Sequence, residues 1–395
     1  MTCTIVQERE QTRLYDAVSR AEGTGHAFAV LDPTWPQSFL AMAAIQVGDA
    51  ASSGLVADGD LVVFSSGSTG RPRGIVRTVE SWQASVCALS DVTGITAEDT
   101  VWLPGPLWSS LFLYGAFHAR AVGARLVFGD AEDHGSARAT ALHCVPSQLP
   151  GLLHRAKAGG LPLLRRVVVA GDHGAALLRQ QCEAAGWQVT EYYGAAELSF
   201  VARRDGAGPF RDFPGVETEV RDGALWARSP YLARGYLTDH PPIGSASGPV
   251  GPVGSVGSVG SADEGPLRFD RQGWATVSDL ARVVPGGLEI LGRGNSAVSS
   301  GGHTVVVEEV ERHLRGLPDV DEVAVLGMPH PRLGQVLTAI VVGSAPDGDL
   351  RAAVAGMPAP SRPRRWVHAD ALPRTSGGKL RRDDLADLVV RLDRR

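Results

Sequence analysis

The sequence predicts an α/β protein: a large layered N-terminal domain on a mainly parallel sheet, then a smaller α+β domain. Three observations point there. Short runs rich in Val and aromatic residues alternate with stretches of helical spacing through the first half of the chain, as expected of a parallel sheet with helices on its faces. The pattern changes to short alternating strands from about residue 215 to 240. After Asn295, one amphipathic helix pattern and two apolar strands stand apart as a compact unit.

In chain order, LVVF (61–64), ARLVF (124–128), RRVVVAG (165–171) and WQVTEYYG (187–194) read as strands. Between them, residues 81–92, 147–159 and 174–186 carry apolar side chains at helical spacing and end near Gly. VETEVRDGALWARS (216–229) alternates as short strands. Residues 243–266 form a Gly/Ser/Pro/Val tract with a short internal repeat. Such a composition buries too little apolar area to offset its ordering entropy, so a mobile surface loop is expected. Its flanks, 224–237 and 273–284, are expected to meet across it, which makes it an insertion within one domain. The Gly- and Ser-rich segment 287–303 is the expected joint, giving domains 1–294 and 295–395. Beyond it, 307–318 predicts a helix, 320–329 and 336–343 strands, and 380–392 a closing helix.

A chain of 395 residues holds two or three folding units, and with 44% hydrophobic and 21% charged residues it has material for a core. The net charge of -5 argues against a broad nucleic-acid binder. No apolar run approaches the ~18 residues of a membrane span. Glu8, Arg9 and Glu10 interrupt what would be a signal peptide, so a cytoplasmic protein is expected. Cys3, Cys87, Cys144 and Cys182 are scattered as reduced thiols would be, and the histidines show no zinc-binding spacing. The basic tail, Arg381, Arg382 and Arg391 to Arg395, is interrupted by Asp383, Asp384 and Asp387 and reads as a solvated helix. Of 38 basic residues only two are lysine, Lys157 and Lys379. Lys157 falls on a predicted helix and reads as solvated.

Five stretches hold the residues suited to chemistry. SSGSTGRPRG (65–74) directly follows the strand LVVF. A strand running into a Gly- and hydroxyl-rich turn offers N–H and O–H groups to phosphate oxygens. It is not the Walker pattern, because Gly67 and Gly70 are too close and no GK[ST] follows. A flexible turn would explain the glycines alone, but not the hydroxyls and arginines as well. YYGAAE (192–197) offers a stacking face and, in Glu197, a carboxylate for a divalent cation, with a buried Tyr and an exposed Glu as the plain alternative. GWATVSDLA (273–281) sets Asp279 where it could accept bonds from ribose hydroxyls, and GRGNS (292–296) follows. LPRTSGGKLRR (372–382) places Lys379 in a Gly-flanked loop. A solvated surface lysine is the plain alternative there, and the scarcity of lysine weighs against it.

Taken in order, these stretches resemble the adenylate-forming superfamily of acyl- and aryl-CoA synthetases, peptide-synthetase adenylation domains and luciferases. The resemblance runs from about residue 60 to the C-terminus, with LPGPLW (103–108), HCVPSQLPGLL (143–153), VVVAGD (167–172), LWARSPYLARGYL (225–237) and VDEVAVLGMPHPRLGQ (320–335) as supporting matches. The compact members similar to o-succinylbenzoate-CoA ligase fit best. The resemblance implies that an acid attacks the α-phosphate of ATP to give an acyl adenylate and pyrophosphate. A mobile C-terminal domain then rotates, and coenzyme A takes the acyl group. It implies that Ser66, Gly67, Ser68, Thr69 and Gly70 hold the terminal phosphates with Arg73. Tyr193 would stack on adenine beside Gly171, Asp172 and Gly194, and Glu197 would bind Mg²⁺. Asp279 would bind the ribose, with Arg293 close by. Lys379 would bridge the carboxylate and the α-phosphate, a role suited to a point-charge ammonium. Asn295 would be the hinge, and Gly301 and Gly302 would line the pantetheine passage.

Departures from the family pattern accompany these matches. Arg73 stands for the usual Lys, Ala196 for the Thr before the metal-binding Glu, Asn295 and Ser296 for a hinge that usually reads Asp or Lys and then Asp, and Val307 for a Pro. Trp108 stands for a His, putting bulk where the acid enters. The implied pocket lining of Trp108, Ser109, Leu111, Gly171, Asp172, Gly194 and Ala195 suits a small or aromatic acid. Only 64 residues precede Ser65. Part of an N-terminal subdomain is therefore expected to be missing, and a second copy of the chain, as a homodimer, is the expected cover. The acceptor stays open: coenzyme A, a carrier-protein thiol, an amine, or nitrite as in the superfamily's diazotases. A catalytically impaired nucleotide-binding relic is the non-enzyme alternative, against which stands retention of both Glu197 and Lys379. A dehydrogenase is disfavoured, because no GxGxxG follows an early strand.

Overall fold

A computed structural model of the chain describes residues 2–65, 73–129, 135–170, 175–206, 208–237, 267–293, 297–300, 303–330, 334–376 and 378–393. Its centre is a seven-stranded sheet. The order is Arg211–Asp212, Ser199–Arg204, Gln188–Ala195, Arg166–Ala170, Ala141–Cys144, Thr100–Leu103 and Arg125–Phe128. From Gln188–Ala195 to Arg125–Phe128 every pairing is parallel, and Ser199–Arg204 turns back antiparallel. The run Val167, Val168, Val169 is buried throughout, as a strand covered on both faces must be. The helix Ser110–Ala121 covers one face, packing Leu113 and Ala116 with Val101, Leu103, Ala141 and Val168. The opposite face packs Leu149, Leu152 and Leu153 of the helix Leu149–Lys157 against Trp102, Val167 and Val169.

A second sheet runs Thr4–Val6, Phe28–Val30, Asp60–Ser65, Arg73–Thr78, Gly235–Tyr236, parallel across the first three and antiparallel beyond. The helices Gln11–Gly23 and Gln37–Ser52 connect its first strands, and Glu10 caps the first by accepting from the amides of Thr12 and Arg13, both at 2.8 Å. No element is predicted from the sequence for residues 4–52. Residues 81–92, expected as one helix, form parts of two: Val79–Gln83 and Val86–Thr93. They break at Ser85, whose hydroxyl bonds the Trp82 carbonyl (2.8 Å) and the Tyr114 hydroxyl (2.7 Å) instead of continuing one regular surface.

The third sheet is antiparallel. Glu217–Arg221 and Ala224–Arg228 form a hairpin turned at Asp222 and Gly223, with φ of 50° and 79°, the left-handed pair that Asp-Gly adopts readily. Ala227 pairs with Ala275 and Ala224 with Leu280, so the flanks of the low-complexity tract meet in one sheet. The tract itself lies outside the described residues.

In the C-terminal unit, Val320–His330 and Gly334–Gly343 pair antiparallel, and Arg365–His368 joins them parallel. The helix Val307–Arg315 buries Val307, Val310 and Leu314 against them. One expectation for the tail is corrected here. Arg382 is only partly exposed: its guanidinium pairs with Glu311, which is wholly buried, through contacts at 2.9 Å, and with Glu308 at 3.4 Å. Glu311 also accepts from the Val325 amide at 2.8 Å, so the ion pair ties the tail to the core sheet. The tail helix is Leu385–Leu392, which buries Leu385 and Val389. Among the described residues, no helix is long and apolar enough to cross a membrane.

Candidate functional site

At the C-terminal edge of the central sheet lies a cavity of about 50 Å³. Its walls come from the start of the helix Ser110–Ala121 (Ser110, Leu111, Tyr114), from the YYGAAE segment (Tyr192, Gly194, Ala195, Ala196) and from Lys379. The cavity thus joins the second and fifth motifs, which stand far apart in the chain. Gly194 has a local reason to be glycine: a Cβ there would lie 2.0 Å from the Ser199 carbonyl oxygen. That close approach closes the hairpin between Gln188–Ala195 and Ser199–Arg204, and Ser199 itself takes a φ of 61°.

The third motif joins the second through side chains. The Tyr193 hydroxyl donates to Asp279 at 2.5 Å, across 86 residues of chain. Asp279 in turn opens the strand Asp279–Val284 and stands in register opposite Arg293. Adenine-stacking and ribose-binding residues, as the resemblance assigns them, are therefore neighbours.

Glu197 sits between the cavity and the second sheet. It is 8% exposed, and its Oε1 accepts from the Tyr236 hydroxyl at 2.8 Å. Burial, followed by the Glu197 charge and its hydrogen bond, pushes the Tyr236 phenol up, so it remains a donor; the Arg73 charge pulls the other way. A buried carboxylate with one hydrogen bond retains acceptor capacity for a hard cation. No group of three or more His, Cys, Asp or Glu residues suited to a metal occurs among the described residues.

Sequence reasoning missed Arg77. It follows Ile75 and Val76 on an apolar strand, where an interior arginine is the signal that could have found it. The guanidinium is 1% exposed, donating to the Ala196 carbonyl (3.0 Å) and the Tyr231 carbonyl (2.6 Å) and lying over the Trp82 ring. Burial lowers it to about 10, against the pull of Tyr114 and Glu197, so it stays charged at neutral pH. It fixes the backbone immediately before Glu197 and supplies a buried positive charge beside it.

Two residues expected in the pocket stand elsewhere. Ser109 is the N-terminal flank of the helix Ser110–Ala121, and neither it nor Trp108 is among the lining residues; Ser110 and Leu111 are. The Trp108 indole instead donates to the Ser376 hydroxyl at 3.2 Å. Lys157 is exposed in the last turn of its helix. Ser66, Gly67, Ser68, Thr69, Gly70, Gly171, Asp172, Asn295, Ser296, Gly301 and Gly302 lie outside the described residues, as does the side chain of Arg293.

Comparison with known proteins gives the family. Residues 57–237 match the family model described as AMP-binding enzyme, and 309–379 match that of the AMP-binding enzyme C-terminal domain. A probable 2-succinylbenzoate–CoA ligase of Mycobacterium tuberculosis is 30% identical over 96% of this chain and 94% of its own length. The chain belongs to the AMP-binding enzyme family. An uncharacterized acyl-CoA ligase of Bacillus subtilis is 29% identical over 81% of this chain, and the match spans 66% of that relative's length. The fold is that of the Bacillus subtilis o-succinylbenzoate CoA synthetase solved with its acyl-adenylate intermediate, with a TM-score of 0.74 at 19% identity, covering 97% of this chain and 87% of that one. The two matched segments of this AMP-binding enzyme bracket the cavity: Gly194 and Ala195 belong to the first and Lys379 closes the second.

Proposed function

We propose that this chain is an ATP-dependent acid–CoA ligase acting through an acyl adenylate. The observation that carries the reading is Lys379 on the wall of the cavity formed by Ser110, Leu111, Tyr192, Gly194 and Ala195. A carboxylate oxygen of the acid attacks the α-phosphorus of ATP, the bond to the bridging oxygen of pyrophosphate breaks, and pyrophosphate leaves. Two anions must approach for this, and a fixed ammonium between them favours the crowded phosphorus over separated reactants. In the second step the coenzyme A thiolate attacks the acyl carbon and AMP departs.

In this reading Tyr193 carries adenine on its ring face, and Asp279, already held by the Tyr193 hydroxyl, takes the ribose. Glu197 holds Mg²⁺, which neutralises phosphate charge when bound. Arg73 and the segment 66–70 take the terminal phosphates, and 295–395 is the unit that rotates about Asn295, opening the passage past Gly301 and Gly302. The cavity walls set Trp82, Tyr114, Tyr192 and Phe200 beside the small residues Gly194 and Ala195, which favours a small or aromatic acid over a long acyl chain. The absence of a membrane-crossing helix among the described residues suits a cytoplasmic enzyme.

The test is ATP–pyrophosphate exchange over a panel of benzoate, salicylate, 2-succinylbenzoate, propionate and octanoate. Exchange with at least one aromatic or short acid and none with octanoate is expected, and a thioester should appear by mass spectrometry only when coenzyme A is added. Exchange restricted to octanoate would overturn the pocket reading. Adenylate that never passes to coenzyme A would move the acceptor to a carrier-protein thiol, an amine or nitrite.

A further inference from the structure

The turn that carries Lys379 is shaped by its own segment and then fastened to the large domain. Within the turn, Arg374 pairs with Leu380 as a single antiparallel bridge, and the Thr375 amide donates to the Lys379 carbonyl at 2.8 Å. Arg374 donates to the Gly378 carbonyl (2.8 Å) and pairs with Glu322 (2.7 Å), so the turn keeps its shape within its own domain. Fastening is a separate set of bonds. The Ser376 hydroxyl donates to Asp32 Oδ2 at 2.9 Å and accepts from Trp108 Nε1 at 3.2 Å. Ser147 donates to the Gly378 carbonyl at 3.1 Å.

Asp32 is prepared for this contact. It is 7% exposed, and its other oxygen is occupied by the Thr34 amide (2.8 Å) and the Thr34 hydroxyl (2.6 Å), which fixes the direction of Oδ2. A hydroxyl bonded to an ionised carboxylate makes a stronger bond than a neutral pair does. Its O–H is given to Asp32 and an acceptor site to Trp108, so the Ser376 hydroxyl makes these two bonds only when the C-terminal turn sits on the large domain. Trp108 stands where the family usually has His, and its ring N–H is what reaches Ser376.

We propose that Ser376, clasped between Asp32 and Trp108, is the positioning residue that docks the Lys379 turn for adenylation and lets go for the second half-reaction. The proposal rests on Lys379 acting in the adenylation step. Because the turn's internal bonds do not involve the Ser376 side chain, Ser376→Ala removes the clasp and leaves the turn formed.

Amide hydrogen exchange of the full chain, read over residues 374–381, tests the clasp without any substrate. Ser376→Ala should exchange roughly tenfold faster than wild type, and Ser376→Thr, which restores the hydroxyl, should return towards wild type. Equal exchange in wild type and Ser376→Ala overturns the proposal. With the panel acid that supports ATP–pyrophosphate exchange best, Ser376→Ala should lower kcat about 10- to 100-fold at little changed KM for ATP. Transfer from pre-formed acyl adenylate to coenzyme A should stay within about twofold, since that step does not need the docked turn. An equal loss in both half-reactions overturns the positioning role. Lys379→Ala separates the two claims: full exchange in that variant removes the proposed function and the clasp together. Loss of exchange there, beside a Ser376→Ala variant with wild-type kinetics, removes the clasp alone.

Discussion

Glu197 is held from two sides. Its carboxylate is buried and accepts from Tyr236, while the peptide before it is held by Arg77. Glu197→Gln keeps a carbonyl oxygen for the Tyr236 hydroxyl while removing the charge and turning the second oxygen into an NH₂ donor. Folding stability should therefore change by less than about 1 kcal/mol, while adenylation falls on the order of 100-fold or more and needs more Mg²⁺. Urea denaturation beside a Mg²⁺ titration of exchange checks both; a variant that adenylates normally would remove Glu197 from the metal site. The sequence named Glu197 because the carboxylate follows an aromatic-Gly pair. It could not name Tyr236 or Arg77, because their roles arise from strand pairing: Tyr236 stands opposite Ile75, and Arg77 reaches a carbonyl 154 residues away.

At the scale of elements, the hairpin after the YYGAAE strand is the least forgiving piece. Gly194→Ala drives a Cβ into the Ser199 carbonyl, a backbone atom that cannot rotate aside. A cost of roughly 1–3 kcal/mol in stability is expected, together with a raised KM for the acid as the wall moves. Unchanged stability and KM would mean that the hairpin adjusts freely. The strands of the central sheet were legible because a parallel strand buried on both faces leaves an unbroken apolar run, as in Val167, Val168 and Val169. The two βα units before residue 60 were not. Thr4–Val6 and Phe28–Val30 are three residues each, too short for periodicity to register, and are fixed by pairing with Asp60–Ser65 and by the core around them. The break at Ser85 escaped for a related reason, since it depends on the Tyr114 hydroxyl, a partner distant in sequence. In the tail, alternating Arg and Asp looked like a solvated face until the buried Glu311 supplied Arg382 with a partner.

The whole molecule carries a pH dependence set by two buried histidines. Burial lowers His118 to about 4 and His143 to about 3 from an ordinary 6.5, and their rings lie 6.4 Å apart. The folded protein keeps both neutral, while the unfolded chain takes up protons below 6.5. Stability from this source is thus complete above pH 6.5 and is lost on acidification, by roughly 1.4 kcal/mol per pH unit per histidine until the folded values are reached. Urea midpoints between pH 7 and 4 should fall accordingly, and His143→Asn should remove about half of the slope in that window; an unaltered slope would contradict the assignment. Whether adenylation runs through one ammonium brought from the C-terminal unit is decided by the protein's own two lysines. ATP–pyrophosphate exchange should be unchanged in Lys157→Ala and fall by about 100-fold or more in Lys379→Ala at intact folding. Wild-type exchange in Lys379→Ala would contradict the account.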